Sequence, residues 1–171
     1  MKKIVLFTLF MSLFANVVIA QTRAEKKQLK EEKAAKEYEV MKTIINSKMY
    51  IFDSSWISTS RGRRINISAG SNTLEVVQDS AKAAMQFFGE VSSIRFSGGE
   101  GVEFNNVMDS YEVKFDDKKR KITVSFNVKN KSEYYNIFMT INKSGYTYVD
   151  VFSNNKSNVT YDGNVEKIKE D

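Results

Sequence analysis

Between Tyr111 and Phe152 the chain reads YEVKFDDKKRKITVSFNVKNKSEYYNIFMTINKSGYTYVDVF, and the period of two in this stretch decides the fold. Tyr111, Val113 and Phe115 alternate with Glu112, Lys114 and Asp116, and Ile122, Val124, Phe126 and Val128 alternate with Thr123, Ser125 and Asn127. Neighbouring side chains of a strand point to opposite faces, so this alternation predicts strands with one buried and one wet face. Tyr135, Ile137, Met139 and Ile141 continue the pattern, with Phe138 breaking the polar face. Tyr146 to Phe152 is apolar on both faces, as a central strand would be, and Val159 to Val165 closes the series. The pieces between, such as Asp116-Asp117-Lys118-Lys119 and Asn142-Lys143-Ser144-Gly145, are turn chemistry.

Upstream the signals are shorter. Tyr50 to Asp53 reads as a short strand, and the Ser-rich segment Ser54 to Ser60, with the lone Trp56, as a loop or strand edge. Ile65 to Ile67 and Leu74 to Val77 read as two more strands around the turn Ala69-Gly70-Ser71-Asn72. Ser80 to Phe88 predicts a short helix, capped by Ser80, built on Ala81, Ala83, Ala84 and Met85, and ended by Gly89. Gly98, Gly99 and Gly101 make a flexible turn before Val102. Thr22-Arg23-Ala24-Glu25 has capping-box spacing and opens a helix that runs to about Ser47. That helix is charged from Arg23 to Lys33 and then carries an apolar stripe, Ala34, Tyr38, Met41 and Ile45, at helical spacing. The expected class is α+β: an N-terminal helix and a twisted antiparallel β-meander sheet, with one short additional helix packed on one face.

The chain starts Met1-Lys2-Lys3, continues with an apolar run from Ile4 to Ile19, and reaches Val18-Ile19-Ala20 before Gln21. A basic start, an apolar middle and small residues before a cleavage point read as a secretory signal. The run is shorter than the ~20 residues a spanning helix needs, so no transmembrane segment is expected in the mature chain. The expected organisation is a signal peptide over 1–20, a charged helix over 21–47 and one α+β domain over 48–171. The implied location is periplasmic or secreted, and nucleic acid is not an expected partner.

Composition narrows the chemistry further. The 171 residues include no Cys, His or Pro, and the formal net charge is +5. Without Cys there are no disulfides and no lipid-anchoring thiol. Without Cys and His, zinc sites, Ser-His-Asp triads and Cys-His dyads cannot be built. Carboxylates remain, among them Asp53, Asp79, Glu103, Asp150 and Asp162, but their spacing marks no catalytic pair. Asp150 stands in the most apolar strand and would need a partner if it turned inward. Gly98-Gly99-Glu100-Gly101 lacks the Lys-Ser/Thr of a phosphate loop and reads as a turn. No catalytic, cofactor-binding or metal-binding residues are therefore expected. Arg61-Gly62-Arg63-Arg64 is a dense basic cluster, five residues after Trp56. Guanidinium groups hold phosphate or carboxylate bidentately, so Trp56, Arg61, Arg63 and Arg64 are the candidate partner-binding residues.

Several segments in order resemble a known family. They are Tyr50-x-Phe52, Arg61-Gly62-Arg63, Phe87-Phe88-Gly89 ahead of a Gly-rich turn, Val151-Phe152-Ser153-Asn154-Asn155-Lys156 and Tyr161-Asp162-Gly163. Together they are similar to the family called domain of unknown function 4251, found in exported proteins of Gram-negative bacteria. The resemblance implies an envelope location and a single α+β domain, and it implies no activity. The expected function is a non-enzymatic binding domain of the envelope, engaging a protein or an anionic envelope component. A carrier or sensor of a small apolar ligand is the alternative, and a carboxylate-based hydrolase a distant third.

Overall fold

The computed structural model describes residues 2–91 and 101–168, with side chains from residue 23 onward. Helix α1 (Lys2–Asn46) leads into β1 (Met49–Thr59), β2 (Arg64–Asn66), β3 (Thr73–Val77) and β4 (Ser80–Met85). Then follow β5 (Val102–Asp116), β6 (Lys121–Asn130), β7 (Glu133–Asn142), β8 (Tyr146–Ser153) and β9 (Val159–Lys167). From β3 to β9 each strand pairs antiparallel with the next. Strand β1 pairs β3 through Met49–Asp53 on one side and β9 through Tyr50–Thr59 on the other. The sheet therefore closes into an eight-stranded barrel, with β2 added beside the far half of β1.

Closure corrects the expectation of a twisted sheet covered by helices on one face. Alternation reveals which face of each strand is buried, but not that the first strand meets the last. An eight-stranded barrel is just wide enough for side chains to fill its interior. Here Tyr50, Phe52, Leu74, Phe126, Ile137 and Met139 fill it and are wholly buried. Closure also needs a close approach where β1 bulges between Ser54 and Trp56. Gly163 lies opposite that bulge, and a Cβ there would collide with the Asp53 carbonyl oxygen.

The short helix expected over Ser80–Phe88 is instead strand β4 and the segment after it. Ala81, Ala83 and Met85 alternate inward with outward Lys82 and Ala84. Ala83 faces Leu74 of β3 and Phe104 of β5, so a small residue is needed beside larger ones. Local helix preference is a weak prior that pairing on both edges overrides. Of the glycines expected in the next turn, Gly98 and Gly99 lie outside the described residues; Gly101 directly precedes β5.

Helix α1 does not begin at Thr22 but is continuous from Lys2, with no Gly or Pro before Gly62 to interrupt it. The chain divides into two compact units, Met1–Lys36 and Glu37–Asp171. The helix's last residues thus belong with the barrel rather than with the charged segment. Tyr38, Met41 and Ile45 join the barrel core, as their spacing predicts. The Tyr38 hydroxyl donates to Asp117 in the β5–β6 turn at 3.1 Å. Lys143 in the β7–β8 turn pairs with Glu37 at 3.9 Å. This part of the helix therefore lies across one end of the barrel, the end of the β5–β6 and β7–β8 turns.

Candidate functional site

The bulge in β1 sets the outer surface of the neighbouring strands. An extra residue in one strand re-aims the side chains beyond it, and Trp56 emerges on the outside, opposite Asn66 of β2 and Asp162 of β9. The Arg64 guanidinium lies over the Trp56 ring, 4.7 Å from its centre. Arg64 also pairs with Asp162, whose side chain is only 3% exposed although it sits on the outer face. The Tyr146 hydroxyl donates to the same carboxylate at 2.8 Å. That bond to Asp162, aided by desolvation, pushes the Tyr146 hydroxyl up to about 12.

Two of the four sequence-predicted residues, Trp56 and Arg64, are thus brought together. The other two sit in the β1–β2 hairpin. Arg61 pairs with Glu90, which follows β4. Arg63 closes the turn through its backbone, its carbonyl accepting from the Thr59 amide at 2.9 Å.

Aromatic side chains extend this surface across β8 and β7. Tyr146 and Tyr148 meet edge to face at 5.3 Å, as do Phe138 and Phe152 at 5.7 Å. Tyr148 is 48% exposed, Phe138 45% and Phe152 38%. Pairing registers place a hydrogen-bonding group beside each: Phe138 faces Asp150, Phe152 faces Asn136, and Tyr148 lies between Thr140 and Asp162. Asp150 points outward and accepts from the Thr160 hydroxyl at 2.6 Å. None of the outward positions of β7 and β8 is Lys or Arg, whereas β6 presents Lys121 and Lys129. The sequence carried a trace of this face. Phe138 interrupts an otherwise polar row, and Tyr146 to Phe152 is apolar on both sides; the second signal denotes an exposed aromatic row as well as a buried one.

A different cluster closes the barrel at the end away from the helix. Lys156, in the β8–β9 loop, donates to Glu133 at 3.0 and 2.9 Å and to the Tyr135 hydroxyl at 3.1 Å. Both ions are buried, and the Ser153 hydroxyl adds a 2.6 Å bond to Glu133. Burial, then the Glu133 carboxylate, holds the Tyr135 hydroxyl far above its usual range. The Ser157 amide donates to the Glu90 carbonyl at 2.8 Å, tying the segment after β4 to the same loop. Sequence reading passed over this cluster because Lys156 lies among Ser and Asn in what reads as a solvated turn. An open groove of about 440 Å³ lies nearby, lined by Ser71, Ala84, Gln86, Phe88, Gly101 and Glu103 among others. Among the described residues, no group of three or more acidic, His or Cys side chains is placed to hold a metal ion.

The model of a domain of unknown function, DUF4251, matches residues 32–165. The chain belongs to the DUF4251 family. A crystal structure of a DUF4251 family protein from Bacteroides eggerthii is similar in fold, with a TM-score of 0.60 at 17% identity. The match covers 78% of this chain and 89% of that one. No curated protein matches. Among the described residues of this DUF4251 chain, no helix is long and apolar enough to cross a membrane.

Proposed function

We propose that this DUF4251 protein is an exported, non-enzymatic binding domain of the bacterial envelope. It engages a protein or envelope component through the outer face of β7, β8, β9 and β1. The observation that carries this reading is the row of solvent-exposed rings, Phe138, Phe152 and Tyr148, continued by Tyr146 and Trp56. Aromatic side chains left on a rigid sheet surface are characteristic of recognition, since they present large area at small entropic cost. The filled interior supports a surface role over the carriage of an apolar ligand. Phe52, Phe126 and Met139 occupy the space such a ligand would need. The basic start and apolar run of residues 1–20 support export.

Expression in a Gram-negative host, fractionation and intact-mass measurement test the reading. The expected result is loss of residues 1–20 and retention with the envelope. A Tyr148→Ser/Phe152→Ser variant, which alters only outward positions, should melt as the wild type does and appear in the soluble periplasmic fraction. A full-length species in the cytosol, or retention unchanged by the double substitution, would overturn it.

A further inference from the structure

We propose that the outer face of β7, β8, β9 and β1 binds a neutral polysaccharide; this rests on the surface-binding reading above and narrows its ligand. A sugar ring offers two kinds of surface, faces of C–H groups and a rim of hydroxyls. A site for it needs flat aromatic area with donors and acceptors close beside it. The registers supply that alternation on three rows: Phe138 against Asp150, Phe152 against Asn136, and Tyr148 between Thr140 and Asp162. A surface made to bury a protein partner has a contiguous apolar centre with polar groups pushed to its rim. Here the polar groups stand inside the aromatic field.

Charge selects among carbohydrates and against lipid. The chain carries 26 Lys and Arg against 21 Asp and Glu, yet no cation occupies the outward positions of β7 and β8. The guanidinium that borders the face, Arg64, is already paired with Asp162. Asp150, held by Thr160, leaves the face with acidic character. Anionic lipid headgroups and polyanionic glycans are drawn to clustered Lys and Arg, and this face offers no such cluster: Lys129 of β6 reaches over the Tyr134 ring at its edge, and Arg64 is paired. A polyhydroxylated neutral chain needs no such cluster and finds acceptors in Asp150, Asn136 and Thr140.

The face is also ordered before any ligand arrives. Its rings are held in edge-to-face pairs, and Tyr146, Arg64 and Asp162 form a bonded network behind them. Preorganisation of this kind reduces the entropy lost on binding.

Affinity electrophoresis of the purified chain lacking residues 1–20 tests the proposal, using gels that contain dextran, starch, mannan or a β-glucan. Polygalacturonate gels and anionic phosphatidylglycerol vesicles serve as the charged comparison. The expected result is retardation by a neutral polysaccharide, weakened about tenfold or more by Tyr148→Ala or Phe152→Ala, the loss typical of a central aromatic contact. Lys82→Gln, on the outer face of β4 across the barrel, should leave retardation relative to a polysaccharide-free gel unchanged. Migration unaffected by every neutral polysaccharide, binding to the charged probes alone, or retardation indifferent to Tyr148→Ala would each overturn it. If envelope retention in cells still depends on Tyr148 and Phe152 while no neutral polysaccharide binds, the ligand class fails and the surface-binding reading stands.

Discussion

The barrel end beneath the helix is closed by apolar side chains, whereas the opposite mouth is closed around a buried ion pair. Under the helix, Tyr38, Met41 and Ile45 reach into the core, and their polar contacts, such as Tyr38 to Asp117, lie at the edge. At the mouth, Lys156 and Glu133 are buried together with the Tyr135 hydroxyl and the Ser153 hydroxyl as further partners. Apolar closure is tolerant because its energy is spread over many weak contacts. Ionic closure depends on each partner being present, since desolvating a charge is repaid only by its counter-ion and hydrogen bonds. The two ends should therefore respond differently to single substitutions. The mouth, where the segment after β4 is tied to the β8–β9 loop, is the more brittle.

The largest effect expected is at the mouth. Glu133→Ala strands the Lys156 ammonium in the interior without its carboxylate and should cost about 3–5 kcal/mol, the usual penalty for breaking a buried pair from one side. Chemical denaturation measures it. The double variant Glu133→Leu/Lys156→Met removes both charges and should recover most of that loss. If the double variant is as unstable as the single one, packing rather than charge closes this end, and the contrast between the ends disappears.

Much of the barrel was legible because its strands alternate. From β6 to β9 the inward residues recur at every second position, and the stripe of Tyr38, Met41 and Ile45 recurs at helical spacing; in β5 a register shift between Asp109 and Glu112 breaks the alternation. Strand β4 was not legible, because its inward residues include Ala81 and Ala83, small enough to lie beside Phe104 and also good helix formers. Closure was hidden because every other strand of the barrel lies between β1 and β9 in the sequence. At the candidate site, Trp56 and Arg64 were visible as an unusual pair of residue types, but Asp162 beneath them was one acid among many. The buried pair at the mouth left no sign, since burial of Lys156 depends on contacts with β7 rather than on its neighbours in sequence.

A smaller loss is expected at the helix end. Ile45 is wholly buried, and Ile45→Ala should cost about 3 kcal/mol, the middle of the range for truncating a buried aliphatic residue. The measurement is again a denaturation midpoint, with an unchanged denaturant slope showing that the barrel unfolds as before. Met41→Leu, which keeps the volume, should cost less than about 1.5 kcal/mol. No comparably gentle single change exists for Glu133. A large loss in Met41→Leu would mean that this end is as exacting as the mouth, and would break the comparison from the other side.

The smallest effect tests whether the two ends open together. Tyr161 at the mouth donates to the Gln86 carbonyl at 2.7 Å, and Tyr50 at the helix end shares a 3.2 Å bond with the Tyr111 hydroxyl. Burial raises both hydroxyls well above their ordinary value of 10.0; at Tyr50 the Tyr111 hydroxyl adds to it. The unfolded chain therefore releases these protons first as pH rises. The folded state keeps its full advantage below pH 10 and loses it above, by about 1.4 kcal/mol per pH unit for each tyrosine. Tyr161→Phe and Tyr50→Phe should each remove one tyrosine's share from the alkaline slope, read from unfolding free energies between pH 9.5 and about 11. Equal reductions mean that both hydroxyls are exposed only on global unfolding. A reduction for Tyr50→Phe alone means that the mouth opens first and Tyr161 titrates in a barrel still folded elsewhere, as local opening requires. That result would place the weak end of the molecule at its ion pair rather than under its helix.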